Sequence, residues 1–157
     1  MESNDKTYLQ KHSVHKILAH SYSMHFILFL IGVFLDLIFK VRIFTNSMMV
    51  GVGVVFLMLG SLLIFWSQYT SHHYLNMENV TIETFRQGPY RYTRTPTNFG
   101  LLFLVLGFGL IINAFFVILS AFFSFVISKF TFLAKQEKIL ALKYGAPYLE
   151  YKKIVKF

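Results

Sequence analysis

The fold is decided by one uncharged stretch, residues 99–128, which reads FGLLFLVLGFGLIINAFFVILSAFFSFVIS. As a single helix its 30 residues would extend about 45 Å, well beyond the roughly 30 Å hydrocarbon core of a bilayer. Two short membrane spans therefore fit the stretch better than one long span. Asn113 is the only strongly polar residue near the middle, so we place the turn between the two spans at residues 112–114.

Two further apolar stretches precede this one, at residues 17–39 and 47–66. Each has about the 20 residues that a helix needs to cross the hydrocarbon core. The chain of 157 residues is 55% hydrophobic and only 14% charged, whereas soluble domains contain roughly 25% charged residues. Soluble globular, disordered and coiled-coil classes are therefore excluded. We predict an all-α multi-pass membrane helical bundle with four transmembrane helices, the last two forming a hairpin, in a single integral-membrane domain over residues 1–157.

Lysine and arginine residues indicate the orientation, because they concentrate on the cytoplasmic side of membrane proteins. With four spans and a cytoplasmic N-terminus, 13 of the 15 lie inside, all except Lys40 and Arg42. With three spans, nine of the 15 would lie outside. We therefore expect both termini to be cytoplasmic, including an N-terminal segment at residues 1–16.

The charge and composition also limit the partners of the protein. The net charge is +8, and the basic residues flank apolar segments, which suits an anionic lipid bilayer as partner and not a nucleic acid. The chain has no cysteine, so thiol chemistry and Cys-ligated zinc are excluded. Adjacent His72 and His73 lack accompanying carboxylates, so we expect no metal site. In the first span, Asp36 lies four residues before Lys40, which favours an ion pair over a proton relay.

The hairpin has a chemical consequence, because it returns the chain to the side of the membrane that it left. It places residues 88–98 beside residues 128–145 at the cytoplasmic face. In the first of these segments, Thr95 followed by Pro96 predicts a helix N-cap and the first helical residue. The free N–H groups of such a helix end, next to Arg94, favour an anion.

The second segment carries a lone carboxylate, Glu137, on the predicted cytoplasmic continuation of the fourth span. Gly145, with Pro147 soon after, predicts the end of that helix. Glu137 would face the arginines and tyrosines at the entrance of the third span. Together these groups suit a zwitterionic, hydroxyl-bearing ligand that is held at both ends.

The order of these features resembles that of a known family. Gly-Pro-Tyr-Arg-Tyr-x-Arg-x-Pro-x-x-x-Gly (residues 88–100) is followed by the hydrophobic hairpin, a glutamate-containing stretch and Lys-Tyr-Gly-x-x-Tyr-x-x-Tyr (residues 143–151). Over residues 86–155 this combination resembles the isoprenylcysteine carboxyl methyltransferase and phospholipid methyltransferase superfamily. The resemblance implies a methyltransferase-like cofactor region that binds S-adenosylmethionine at the cytoplasmic face, while a lipophilic acceptor enters from the bilayer. It implies as cofactor-binding residues Tyr90, Arg94, Pro96, Asn98, Gly100 and Glu137.

Three positions depart from the pattern of the superfamily. Thr95 stands where the motif usually has His, Asn98 where it usually has Tyr, and Gln136 where the first Glu of a pair usually stands. Thr95 and Asn98 can form hydrogen bonds, but neither is a good base at neutral pH. We therefore assign no catalytic residue.

By the same resemblance, Arg94 is assigned to the carboxylate of the cofactor and Glu137 to its ribose hydroxyls or amino group. Tyr90 and Tyr92 are candidates for the wall that holds adenine. The leading interpretation is an integral-membrane S-adenosylmethionine-dependent methyltransferase that acts on a small or lipophilic acceptor. The alternative is a non-catalytic membrane protein on the same scaffold with a decayed cofactor site, in which Arg94 and the tyrosines only anchor the helices at the membrane interface.

Overall fold

The computed structural model describes residues 14–44, 48–75 and 81–155. Most of the N-terminal segment predicted at residues 1–16 lies outside these ranges. The described residues form helices and no strand. The helices are α1 (Val14–Phe39), α2 (Met48–Leu75), α3 (Ile82–Phe85), a 3₁₀ helix (Gly88–Arg91), α4 (Pro96–Ile111), α5 (Phe115–Tyr144) and α6 (Ala146–Ile154).

Four of these helices are apolar and form a membrane bundle. α1, α2 and α5 are each long and apolar enough to cross a bilayer, and α4 is a shorter apolar helix of 16 residues. The predicted all-α membrane bundle is therefore confirmed. The second span is longer than the predicted residues 47–66, since α2 continues to Leu75. Its last turns are amphipathic, because Ser67 and Thr70 are buried while Gln68 and Tyr69 are exposed.

α2 and α4 pack antiparallel along a glycine seam formed by Gly53, Gly60, Gly100 and Gly107. A Cβ atom on Gly53 would lie 2.7 Å from the carbonyl oxygen of Gly107, and one on Gly60 would lie 2.7 Å from that of Gly100. On each helix the two glycines are seven residues apart, so they lie on the same face. Only glycine lets the two backbones approach this closely.

α1 packs antiparallel on α5 through small and polar side chains. The hydroxyl oxygens of Ser21 and Ser128 lie 3.1 Å apart at one end of this contact. Further along, a Cβ atom on Gly32 would lie 2.9 Å from the hydroxyl oxygen of Ser120. The small residues let the two helices approach closely within the membrane.

Asp36 lies near the end of α1 and caps the start of α5. Its Oδ2 atom accepts a hydrogen bond of 2.9 Å from the backbone N–H of Val117, in the first turn of α5. A carboxylate is favoured there by the partial positive charge of the helix N-terminus. The described residues show no ion pair between Asp36 and Lys40, so the predicted pair is replaced by this contact between helices.

The hairpin turns at residues 112–114, as the sequence predicts. Asn113 has a φ of +54°, a left-handed conformation that asparagine tolerates better than most residues. Its Oδ1 atom accepts hydrogen bonds of 3.0 Å from the backbone N–H groups of Ile43 and Phe44. The polar residue in the middle of the uncharged stretch therefore joins the hairpin to the connector that follows α1.

At the opposite end of the bundle, the short helices α3 and α6 cover the ends of the long helices. α5 ends as predicted at Gly145, where φ is +62°. The chain then continues into α6, and Tyr148 and Tyr151 of this helix, together with Val155 after it, are buried around Phe85 of α3. This aromatic cluster fixes α6 beside α3 and the end of α5.

Candidate functional site

A cavity of about 340 Å³ lies at the end of the bundle opposite Asn113. Its lining comes from α1 to α6 and from the 3₁₀ helix. The volume lies within the roughly 300–1,000 Å³ of typical ligand pockets. The described lining residues include one arginine, Arg94, and no carboxylate.

A tight turn brings the segment before α4 onto α2. Gly88 has a φ of +55°, and a Cβ atom there would lie 2.5 Å from the Thr70 hydroxyl oxygen. Both the backbone conformation and the packing therefore require glycine. The Ser67 hydroxyl lies 3.0 Å from the Tyr90 hydroxyl and 2.7 Å from the Thr97 hydroxyl, so Ser67 holds two residues that follow the turn.

α4 begins at the cavity with the capping residues that the sequence predicts. Thr95 is the N-cap residue and Pro96 is the first helical residue. The side chain of Arg94 lines the same cavity. Because the N-terminus of a helix carries a partial positive charge, the helix end and Arg94 both favour an anionic group at this place.

Two cationic side chains hold the carboxylate of Glu137 between them. Nη1 of Arg94 donates to Oε1, and Nζ of Lys152 lies 2.7 Å from Oε2. The side chains of Arg94 and Glu137 are only 15% and 12% exposed, whereas that of Lys152 is 46% exposed. Charge-assisted bonds that are partly shielded from water are stronger than surface ion pairs. These pairs tie α5 to α6 and to the start of α4.

An aromatic wall closes another side of the cavity. The ring centroid of Phe85 lies 5.4 Å from that of Tyr148 and 5.5 Å from that of Tyr151. The Tyr151 hydroxyl donates a hydrogen bond of 2.7 Å to the backbone carbonyl of Tyr90. Burial is the main cause that raises the pKa of Tyr148 and Tyr151 above the usual tyrosine value. The next cause is the charge of Glu137 for Tyr148 and the neighbouring Tyr148 for Tyr151, while Arg94 partly opposes both shifts. Both hydroxyls therefore remain protonated at neutral pH and can donate hydrogen bonds.

The structure places the six predicted cofactor residues in three settings. The cavity is lined by Tyr90, Arg94, Pro96 and Asn98. Gly100 faces α2, where a Cβ atom would lie 2.5 Å from the Ile64 side chain. Glu137 is bound to Arg94 behind the lining, and its neighbour Gln136 faces the cavity. Tyr92 is 73% exposed and lies outside the lining.

The first two membrane helices contribute to the site in a way that the sequence motifs did not predict. Tyr22 of α1 and Gln68 of α2 both line the cavity. The sequence contains a signal for the α2 side, because Ser67 lies seven residues after Gly60 and continues the spacing of the glycine seam. Tyr22 has no comparable signal, since only the packing of α1 on α5 brings it to the site.

This arrangement can bind a ligand that carries both a positive and a negative charge. The Arg94 guanidinium can bind a carboxylate through paired N–H groups, and the Glu137 carboxylate can accept hydrogen bonds from an ammonium group. The amides of Asn98 and Gln136 can both donate and accept hydrogen bonds, which suits hydroxyls or ring nitrogens. The aromatic wall can stack on a flat ring.

Comparison with family models gives a direct match. The model described as phospholipid methyltransferase matches residues 41–147, well over half of the chain. The matched range includes α2, the hairpin and both members of the Arg94–Glu137 pair. Comparisons with curated proteins and with solved structures find no significant match. The resemblance seen in the sequence is thus confirmed, and the chain belongs to the phospholipid methyltransferase family.

Proposed function

We propose that this protein is an integral-membrane methyltransferase that uses S-adenosylmethionine to methylate a small or lipophilic acceptor at the cytoplasmic face of the membrane. The proposal rests on the ion pair between Arg94 and Glu137 beside the cavity, in a chain of a methyltransferase family. S-adenosylmethionine supplies an electrophilic methyl group on a sulfonium. Most of the residues that bind it would come from the region predicted at residues 86–155.

The side chains at the cavity fit the chemical groups of this cofactor. The guanidinium of Arg94 matches the planar geometry of a carboxylate. The amides of Asn98 and Gln136 suit ribose hydroxyls or the edge of adenine. Phe85 and Tyr148 offer ring faces for adenine, which makes them better candidates for this wall than the exposed Tyr92.

Glu137 supports the binding of the amino-acid part of the cofactor. A zwitterion inserted between Arg94 and Glu137 would place its carboxylate on the arginine and its ammonium on the glutamate. Each charge of the protein then keeps an opposite charge beside it, so neither is left unpaired in a partly buried place. We infer that the ion pair of the free protein opens to admit these two groups.

The contribution of the chain to methyl transfer is placement and exclusion of water. In-line placement of two reactants can supply much of the reduction in the barrier, and an apolar site at the membrane excludes water. We assign no general base, because a carboxylate, thiolate or neutral amine acceptor has the lone pair that it needs.

We propose that the acceptor enters from the bilayer. α1 packs chiefly on α5, and α2 packs chiefly on α4, so a lipophilic tail can lie between α1 and α2. Phe99 and Phe125, whose ring centroids lie 5.0 Å apart, belong to the apolar part of the bundle beneath the cavity. An apolar acceptor also gains about 0.8 kcal/mol for each CH₂ group that it buries.

Binding of S-adenosylhomocysteine to the detergent-purified protein tests the proposed function. We expect saturable binding that weakens in Glu137→Ala. With a cofactor labelled on its methyl group and native membrane lipids, we expect the label in the organic phase. Label that leaves the cofactor but stays in the aqueous phase would indicate a small water-soluble acceptor. Folded protein that binds no S-adenosylhomocysteine would support the alternative of a decayed, non-catalytic site.

The orientation of the bundle can be tested because the chain has no cysteine of its own. Ala19 of α1 and Tyr148 of α6 line the same cavity, so the start of α1 and the end of the described chain lie at one end of the bundle. From the charge distribution we propose that this end is cytoplasmic. In intact cells we expect an impermeant thiol reagent to reach Arg42→Cys and not Lys153→Cys. The reverse labelling pattern would contradict the orientation.

A further inference from the structure

Lys152 contacts the candidate site although it lies outside the motif residues and outside the range that the family model matches. It belongs to α6, and its Nζ atom lies 2.7 Å from Oε2 of Glu137. The other carboxylate oxygen of Glu137 accepts a hydrogen bond from Arg94. One glutamate thus connects a half-exposed lysine to the only described arginine that lines the cavity.

The attachment of α6 to the protein does not depend on this contact. Tyr148 and Tyr151 are buried against Phe85, and Tyr151 also bonds the backbone of Tyr90. An ion pair with a half-exposed lysine adds little to folding stability, because water and salt screen it. The position of Lys152 therefore matters chiefly for the carboxylate that it touches.

We propose that Lys152 is a positioning residue for cofactor binding. Lys152 holds Oε2 of Glu137 in place, so that Oε1 points toward Arg94. The bond to Oε1 in turn keeps the Arg94 guanidinium at the cavity wall. When the carboxylate of a ligand replaces Glu137 as the partner of the Arg94 guanidinium, Lys152 still neutralises the charge of Glu137. The inference rests on the proposed function, because it assigns Lys152 a role in binding the same cofactor.

Affinity for S-adenosylhomocysteine, measured on the purified full-length protein, tests this role. We expect Lys152→Ala to weaken binding by about three- to fivefold. The affinity of Lys152→Arg, which keeps the charge, should stay within about twofold of the wild-type affinity. The matched control is Lys153→Ala, since Lys153 is the exposed neighbour on the same helix, and its affinity should equal that of the wild type.

A double-mutant cycle separates positioning from a general effect of charge. If Lys152 acts through Glu137, Lys152→Ala should have no further effect in a Glu137→Gln background. An equal effect in both backgrounds would overturn the inference, and so would equal affinities of Lys152→Ala and Lys153→Ala. Wild-type protein that binds no S-adenosylhomocysteine would overturn the proposed function together with the inference, so the two failures are distinguishable.

Discussion

Replacing Arg94 with alanine is expected to lower the affinity for S-adenosylhomocysteine by about 10- to 150-fold. The loss corresponds to one charge-assisted contact, worth about 1.5 to 3 kcal/mol. The change also leaves Oε1 of Glu137 without its arginine partner in a place where the side chain is only 12% exposed. Arg94→Lys should recover part of the affinity, because it restores the charge without the planar fork of the guanidinium.

The matched control for this prediction is Arg91→Ala. Arg91 lies three residues earlier and is exposed, so it shares the charge and the membrane interface without lining the cavity. We expect its affinity to be that of the wild type. If both variants bind equally well while remaining folded, Arg94 is an interface anchor and the proposed site is wrong.

The second large effect is expected at the glycine seam, where Gly60→Leu should destabilise the whole protein. Its Cβ atom alone would lie 2.7 Å from the backbone of both Gly100 and Leu104. Backbone atoms cannot move aside as a flexible side chain can, so α2 and α4 must separate. We expect a loss of about 3 kcal/mol in the free energy of unfolding, measured by thermal unfolding in detergent, with loss of ligand binding.

Gly51→Leu is the control for this substitution on the same helix. No atom would lie within 4 Å of a Cβ atom on Gly51, and Gly51 is exposed on the outer face of α2. The variant should therefore unfold at the temperature of the wild type. Equal destabilisation of both variants would mean that glycine matters for α2 itself and not for its contact with α4.

The membrane-spanning part of the fold could be predicted because its signals are local. The length of an uncharged stretch fixes how many times it crosses, and a single Asn113 fixes where it turns. The predicted end of α2 lies several residues before the observed one. A helix can continue beyond its apolar stretch when one face packs on other helices and the opposite face is exposed to solvent. Although Ser67 continues the spacing of the glycine seam, its partner Tyr90 and the Gly88 backbone that packs on Thr70 come from a later segment, which no local pattern of α2 reveals.

The site was predictable only where the hairpin itself brings residues together. The return of the chain is enough to expect Arg94 near Glu137. The return of the chain does not determine how α5 is rotated about its own axis. Neighbouring helical residues point about 100° apart, so this rotation decides that Gln136 reaches the cavity while Glu137 lies behind Arg94. The orientation of Gly100 toward α2 likewise depends on which helices pair, and here α2 pairs chiefly with α4 while α1 pairs chiefly with α5.

The shortness of α4 has a consequence for the lipid around the protein. Its 16 residues rise about 24 Å, which is about 6 Å less than the hydrocarbon core of a typical bilayer. Such hydrophobic mismatch is relieved when the leaflet thins locally or when polar side chains sit below the average headgroup plane. Thinning brings the lipid headgroups to the depth of Arg94, whereas snorkelling extends the Arg94 side chain toward the headgroups. The acceptor that we propose to enter from the bilayer would then present its polar end to the cavity without leaving the leaflet.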